Sequence, residues 1–281
     1  MPAWSGYRMA ALALACLFCT PARADLAAGQ RAFDNGDYAA ALKEFLPLAT
    51  QGDHVAQYGL GLMYGGGRGV PQDLVQAAKW FRLAAEQGMS SAQYSLGLMF
   101  GGGLGIPQDD KEGAKWFRLA AEQGDARAQF NIGFMYYEGK GVSQDYKEAV
   151  RWYRAAAEQG NQDAQSHLGA AYYQGKGISQ DYKEALKWFL AAAEQRNDDA
   201  RFNLGLMYYG GNGVPQDYRE AAKWFRLAAE HGRPEAQYNL GRMYFDGQGV
   251  PQDYVQAHLW FNLAGPAASQ TASRTGISLL R

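Results

Sequence analysis

The feature that most constrains this chain is a tryptophan that returns every 36 residues. Of the seven tryptophans, six stand in one register: Trp80, Trp116, Trp152, Trp188, Trp224 and Trp260. Each is followed by Phe or Tyr and, except at the last, by an Ala-Ala pair a few residues on. Self-similarity at such a period marks a repeat architecture, in which each unit buries its apolar face only by stacking on its neighbours.

Six units are read at 53–88, 89–124, 125–160, 161–196, 197–232 and 233–264. The first helix of each carries Ala-x-x-x-Leu/Ile-Gly-x-x-Tyr/Phe, as in Ala56, Leu60, Gly61 and Tyr64. Positions i, i+4 and i+8 share one helical face, so these Ala, Leu and Tyr residues form the inner stripe. A glycine in mid-helix costs about 1 kcal/mol relative to alanine. Its return at Gly61, Gly97, Gly133, Gly169, Gly205 and Gly241 therefore predicts a close helix contact as compensation.

The linking loop reads Gly-x-Gly-Val/Ile-Pro/Ser-Gln-Asp, with glycines suited to positive φ. The second helix opens on Asp with Gln or Glu three places later, as in Asp73 with Gln76 and Asp145 with Glu148, which predicts a capping box. Gly88, Gly124, Gly160 and Gly232 end four of these helices. The fourth unit has Arg196 there, followed by Asn197 as the expected left-handed residue, so this junction is expected to differ from the rest.

Residues 25–52 form a shorter, related hairpin expected to cap the stack. Residues 1–24 read as a secretory signal: Arg8, the apolar run Met9 to Cys19, then Ala22-Arg23-Ala24 as a cleavage site before Asp25. The run is too short to span a bilayer, and no other long apolar stretch follows it. Both cysteines, Cys16 and Cys19, lie inside this leader, and Ala13 and Leu14 make Cys16 a poor lipidation site. Cleavage leaves 25 basic against 28 acidic residues and no disulfide, predicting a periplasmic or secreted protein without an integral membrane segment. The near balance of charge gives no electrostatic case for nucleic acid. Residues 265–281 are expected to be a tail or a partial capping helix.

With these motifs placed, the units resemble Sel1-like repeats, relatives of tetratricopeptide repeats, over residues 53–264; the 25–52 hairpin resembles a tetratricopeptide helix pair. The resemblance implies an all-α fold, a right-handed α-α superhelical solenoid of helix hairpins. It also implies scaffold or adaptor work, with a protein or peptide partner bound on the concave face. Four first-helix columns are then expected to line that face. The first reads Val55, Ser91, Arg127, Asp163, Asp199 and Glu235, and the second Tyr58, Tyr94, Phe130, Ser166, Phe202 and Tyr238. The third reads Leu62, Leu98, Phe134, Ala170, Leu206 and Arg242, and the fourth Gly65, Gly101, Tyr137, Tyr173, Tyr209 and Phe245. Such an aromatic ladder fringed with carboxylates suits an extended peptide or a helix. Ser166 and Ala170 interrupt it, predicting a pocket for one partner side chain. The alternative is that the second and fourth columns simply pack between neighbouring helices.

Catalytic chemistry is not expected. Gly65-Gly66-Gly67-Arg68-Gly69 superficially looks like a phosphate loop but lacks a preceding strand and a Gly-Lys-Ser/Thr ending. His54, His167, His231 and His258 occupy different repeat positions and form no metal-type pair, so neither metal nor cofactor is predicted. Cysteine-rich relatives linked to penicillin binding and β-lactam hydrolysis carry a cysteine pair in each repeat, which this chain lacks. Binding of cell-wall glycan or peptide, or of a β-lactam with weak hydrolysis, is the alternative function. No repeat position supplies a nucleophile with a base beside it.

Overall fold

The computed structural model describes residues 24–265. The expected leader up to residue 23, with both cysteines, and the segment 266–281 lie outside that span. Fourteen helices follow one another, with no strand among the described residues. The hairpin of α1 (Leu26–Asp34) and α2 (Tyr38–Thr50) leads into α3 (His54–Gly66) and α4 (Leu74–Glu86), then α5 (Ser90–Gly102) and α6 (Asp110–Glu122). Next come α7 (Ala126–Glu138) and α8 (Tyr146–Glu158), then α9 (Gln162–Gln174) and α10 (Tyr182–Glu194). The chain closes with α11 (Asp198–Gly210), α12 (Tyr218–Glu230), α13 (Pro234–Asp246) and α14 (Tyr254–Ala264). Every helix packs on the next, and α9 also touches α11, so the architecture is an all-α solenoid.

The tryptophans join units as their register predicts. Trp116 packs on Ala84 and Ala85 of α4 and on Leu96 of its own unit, and Trp152 bridges α6 and α7 in the same way. Their burial is uneven: Trp116 and Trp152 are buried, the other four half-buried. The deepest ring is usually the next residue, and Tyr153, Phe189 and Phe225 are almost fully sequestered.

That ring explains the mid-helix glycine. A Cβ on Gly61 would stand 2.5 Å from the Phe81 ring, and one on Gly205 2.5 Å from Phe225. Burying a whole aromatic side chain is worth about 2–3 kcal/mol, which outweighs the helix cost of glycine, about 1 kcal/mol. The second loop glycine has a different reason. A Cβ on Gly177 would meet the Tyr146 carbonyl oxygen of the preceding unit's second helix.

The capping box forms only in part. Each Asp accepts from backbone amides of the first turn, as Asp145 does from Lys147 and Glu148. The reciprocal arm is absent, because the Asp145 amide already donates to the Tyr136 carbonyl at 2.9 Å. Glu148 pairs instead with Arg151 at 2.8 Å.

Neighbouring units are also tied by a buried glutamine relay. The Gln93 Nε2 donates to the Ala85 carbonyl of the preceding unit (3.2 Å), and its Oε1 accepts from Gln123 (2.7 Å). Gln57, Gln129 and Gln165 repeat the pattern. In the fifth unit Arg201 replaces the glutamine, bonded to Asp198 at 3.1 Å and facing His231 at 3.3 Å. The same junction carries Arg196 at φ 68°, the single non-glycine residue with positive φ among the described residues. This corrects the sequence expectation: Arg196 is left-handed, whereas Asn197 (φ −71°) is the N-cap of α11.

Three outcomes follow from backbone and packing. Gly205→Ala should lose about 2 kcal/mol, overpacking of up to about 3 kcal/mol being only partly offset by helix propensity. Gly101→Ala, where the added Cβ meets nothing within 4 Å, should gain up to about 1 kcal/mol. Arg196→Gly should add about 1 kcal/mol by relieving the left-handed conformation. Chemical-denaturation midpoints check all three.

Candidate binding face on the first helices

Residues seven apart on a helix return to nearly the same face, so the first and third columns (55 and 62, in the first full unit) share one stripe. The third column is the most open apolar one, with Leu98 at 42% and Phe134 at 39% exposure, while Leu62, Ala170, Leu206 and Arg242 are half-buried. Arg242 lies 3.6 Å from Asp246, which restrains its guanidinium along α13.

The first column borders this apolar line with charge. The Arg127 guanidinium binds Asp125 at 2.7 Å and lies 4.3 Å from the Tyr94 ring centroid. Its burial raises the Asp125 carboxyl, but the Arg127 guanidinium and the amides of Ala128 and Arg127 more than offset this, so the pKa ends lowered. Further along, Asp163 accepts from Asn197 at 3.0 Å, Asp199 pairs with Arg233, and Glu235 stands 3.5 Å from the same Arg233. Asp163 and Asp199 are thus held in place by the following unit while staying exposed, whereas Glu235 is held within its own unit.

The second column packs inward. Its rings lie on the aromatic that follows the tryptophan: Tyr58 on Phe81, Tyr94 on Phe117, Phe130 on Tyr153, Phe202 on Phe225 and Tyr238 on Phe261, with centroids 5.5–5.9 Å apart. Phe202 and Ser166 are buried, at 4% and 3%, and present no surface for a partner. Both are corrections to the sequence reading: the Phe202 ring is spent inside the repeat in its pair with Phe225, and Ser166 is buried at the same column position.

The fourth column stands at the loop edge. Tyr137, Tyr173 and Tyr209 meet Tyr146, Tyr182 and Tyr218 edge-to-face at 4.9–5.2 Å. Their hydroxyls reach the next unit's loop: Tyr137 accepts from Lys176 (3.1 Å), Tyr173 accepts from Asn212 (2.8 Å), and Tyr209 donates to Gln248 (2.6 Å). Phe245 meets Tyr254 edge-to-face yet stays 53% exposed.

His167 is the residue that sequence reasoning passed over. Beside the step at Ser166 and Ala170, its ring lies 5.2 Å from both Phe130 and Tyr153 and 6.2 Å from Phe134. Its Nδ1–H donates to the Asp163 carbonyl at 2.9 Å. The step is therefore walled by an imidazole where Asn131 and Asn203 stand in the neighbouring units. Burial pushes the His167 pKa down, against the opposing pull of the Asp163 carbonyl and the Asp163 and Glu138 carboxylates. Among the described residues no group of three His, Cys, Asp or Glu is placed to hold a metal ion.

A lowered folded-state pKa means that the unfolded chain binds the proton more tightly. Stability is then full above the unfolded value of about 6.5 and declines as pH falls below it. The urea midpoint should drop more for the wild type than for His167→Asn between about pH 7.5 and pH 5. Equal drops would remove His167 from the account.

The Sel1 repeat profile matches the chain at 54–89, 90–125, 126–161, 162–197, 198–232 and 234–265. Among solved structures, a Sel1 repeat protein from Oxalobacter formigenes superposes with a TM-score of 0.79 at 32% identity, covering 86% of this chain and 99% of that one. A protective antigen present in uropathogenic Escherichia coli strains superposes with a TM-score of 0.74 at 41% identity, over 82% of this chain. The match spans about half of that antigen, 49%. A search of curated proteins finds no match.

Proposed function

Because the chain belongs to the Sel1 repeat family, whose members are generally protein–protein interaction scaffolds and typically non-enzymatic, we propose that it holds a protein or peptide segment on the concave face formed by its first helices. The observation that carries this reading is the open apolar line of Leu98 and Phe134, bordered by Arg127, Asp163 and Asp199. Apolar side chains at the centre with charge at the rim is the anatomy of a protein interface. The partner's apolar residues seat along the third column, and its basic groups face Asp163 and Asp199.

In this proposal residues 1–24 direct export, 25–52 cap the stack, and the six units at 53–264 act as an envelope scaffold, periplasmic or secreted. No helix among the described residues is long and apolar enough to cross a membrane. Tyr137, Tyr173 and Tyr209 then act as spacers that hold successive loops together, leaving the third column as the contact surface. With no cysteine in the repeats, stability after export rests on stacking alone, without disulfides.

A photoreactive residue at Phe134 should crosslink a protein partner in the envelope fraction. Leu98→Glu combined with Phe134→Glu should weaken binding of that partner by about 30-fold or more, the cost of losing a buried hot spot. Leu119→Glu, on a second helix, should leave binding unchanged. Capture that is equally strong from position 119, or none from position 134, would refute the assignment.

A further inference from the structure

Four positions leave their repeat columns together, where the third unit meets the fourth. The residue after the tryptophan is phenylalanine at Phe81, Phe117, Phe189, Phe225 and Phe261 but tyrosine at Tyr153. One place beyond the second column stand Gly59, Ser95, Asn131, Asn203 and Asn239, but His167 in the fourth unit. Ser166 and Ala170 are the shortened members of the second and third columns. Tyr153 of α8 and His167 of α9 meet with ring centroids 5.2 Å apart, and Phe130 and Phe134 of α7 stand 5.2 and 6.2 Å from the same imidazole.

Tyr153 is 1% exposed, and its hydroxyl has no hydrogen-bond partner among the described residues. Buried polar side chains are paired as a rule, and an unpaired one destabilises the fold. The indole N–H groups of Trp116, Trp152, Trp224 and Trp260 are sealed and unpaired as well, but they recur in register and belong to the stacking of the repeat. The hydroxyl occurs once. Seating a ring on the mid-helix glycine needs only phenylalanine, as the other units show, so the added oxygen asks for a use of its own.

We propose that the groove between α7 and α9 takes one asparagine or glutamine side chain of the bound segment, its carboxamide oxygen accepting from the Tyr153 hydroxyl and its amide nitrogen donating to His167 Nε2. The imidazole is set up for this part: Nδ1–H is given to the Asp163 carbonyl, which leaves Nε2 of the neutral ring as an acceptor. Burial pushes the Tyr153 pKa up, so the hydroxyl keeps its proton and remains a donor. Phe134, 39% exposed, and the half-buried His167 part to admit the group, a side-chain movement common when interfaces form. The inference rests on the first helices being the partner face and names the chemistry of one contact there.

Other side chains fit less well. An anion is repelled, since the Glu138 carboxylate bears on Tyr153 and His167 alike and Asp163 bears on His167. A cation offers donors only and leaves the hydroxyl hydrogen unpaired. An aliphatic side chain suits the rings of Phe130 and Phe134 but pairs neither polar group. The carboxamide carries one acceptor and one donor group, is uncharged, and brings little desolvation cost to an aromatic wall.

The test titrates N-acetylglutamine methylamide into the full chain carrying isotope-labelled histidine and tyrosine, with the methionine and glutamate counterparts as controls. Saturable shifts of the His167 and Tyr153 ring signals are expected, with a Kd of about 1–10 mM and about tenfold weaker binding of either control. Tyr153→Phe, which restores the residue of the other units, should abolish the preference for glutamine while raising the urea midpoint, because it removes an unpaired hydroxyl. His167→Asn should abolish the preference as well. Equal shifts from the methionine probe, shifts that do not saturate, or a preference that survives Tyr153→Phe would each overturn the proposal. Any of these beside an intact partner crosslink at position 134 would strike the carboxamide site alone; loss of that crosslink with the glutamine preference intact would strike the partner face instead.

Discussion

The contact on which this solenoid depends is a bare patch of helix backbone facing an aromatic ring. Mid-helix glycine lets the second helix press Phe81, Phe117, Tyr153, Phe189 or Phe225 onto the first helix at distances no Cβ tolerates. The price in helix propensity recurs in every unit, and ring burial repays it locally. Because the ring of one hairpin also supports the second-column aromatic, the glycine decides where Tyr58, Tyr94, Phe130, Phe202 and Tyr238 point. They point into the repeat, and the outer face falls to the columns beside them.

Coupling between units is carried by apolar and polar contacts at once. The indole reaches back to the preceding hairpin, and beside it the buried glutamine satisfies the last carbonyls of that hairpin's second helix. A buried amide with both ends bonded is specific to one separation and one angle, since a lost partner leaves a desolvated polar group. At the fifth unit the two glutamines are replaced together, by Arg201 and His231, and Asp198 joins them. The exchange puts a charged network where the others have neutral amides, next to the strained backbone of Arg196. Junction four to five is therefore built on different chemistry from the rest.

The outer face inherits its character from this division of labour. Fourth-column tyrosines are drawn to the loop edge because each finds an edge-to-face aromatic partner at the start of the second helix and a polar group in the next loop. What stays open is the third column, apolar at Leu98 and Phe134, and a first column in which Asp163 and Asp199 are anchored by residues of the following unit. Partner recognition thus falls to side chains whose positions are set by the stack itself, so the face is rigid before anything binds.

Much of this was legible in the order of residues. The 36-residue interval of indoles, the glycine three residues before each Tyr or Phe, and the Asp that opens each second helix determined hairpins, their number and their stacking, because each residue has one local physical use. The glutamines at the position after each alanine were present in the same register and went unread, since a polar residue on a helix ordinarily faces water. The left-handed turn at Arg196 stood in the register of Gly88, Gly124, Gly160 and Gly232, all at positive φ, whereas the direction of the second-column rings and the imidazole of His167 leaning on Phe130 were decided only by the tertiary structure. Each depends on which neighbour occupies the adjoining space, and that space is created by a helix 20 or more residues away in the chain, where no local preference reaches.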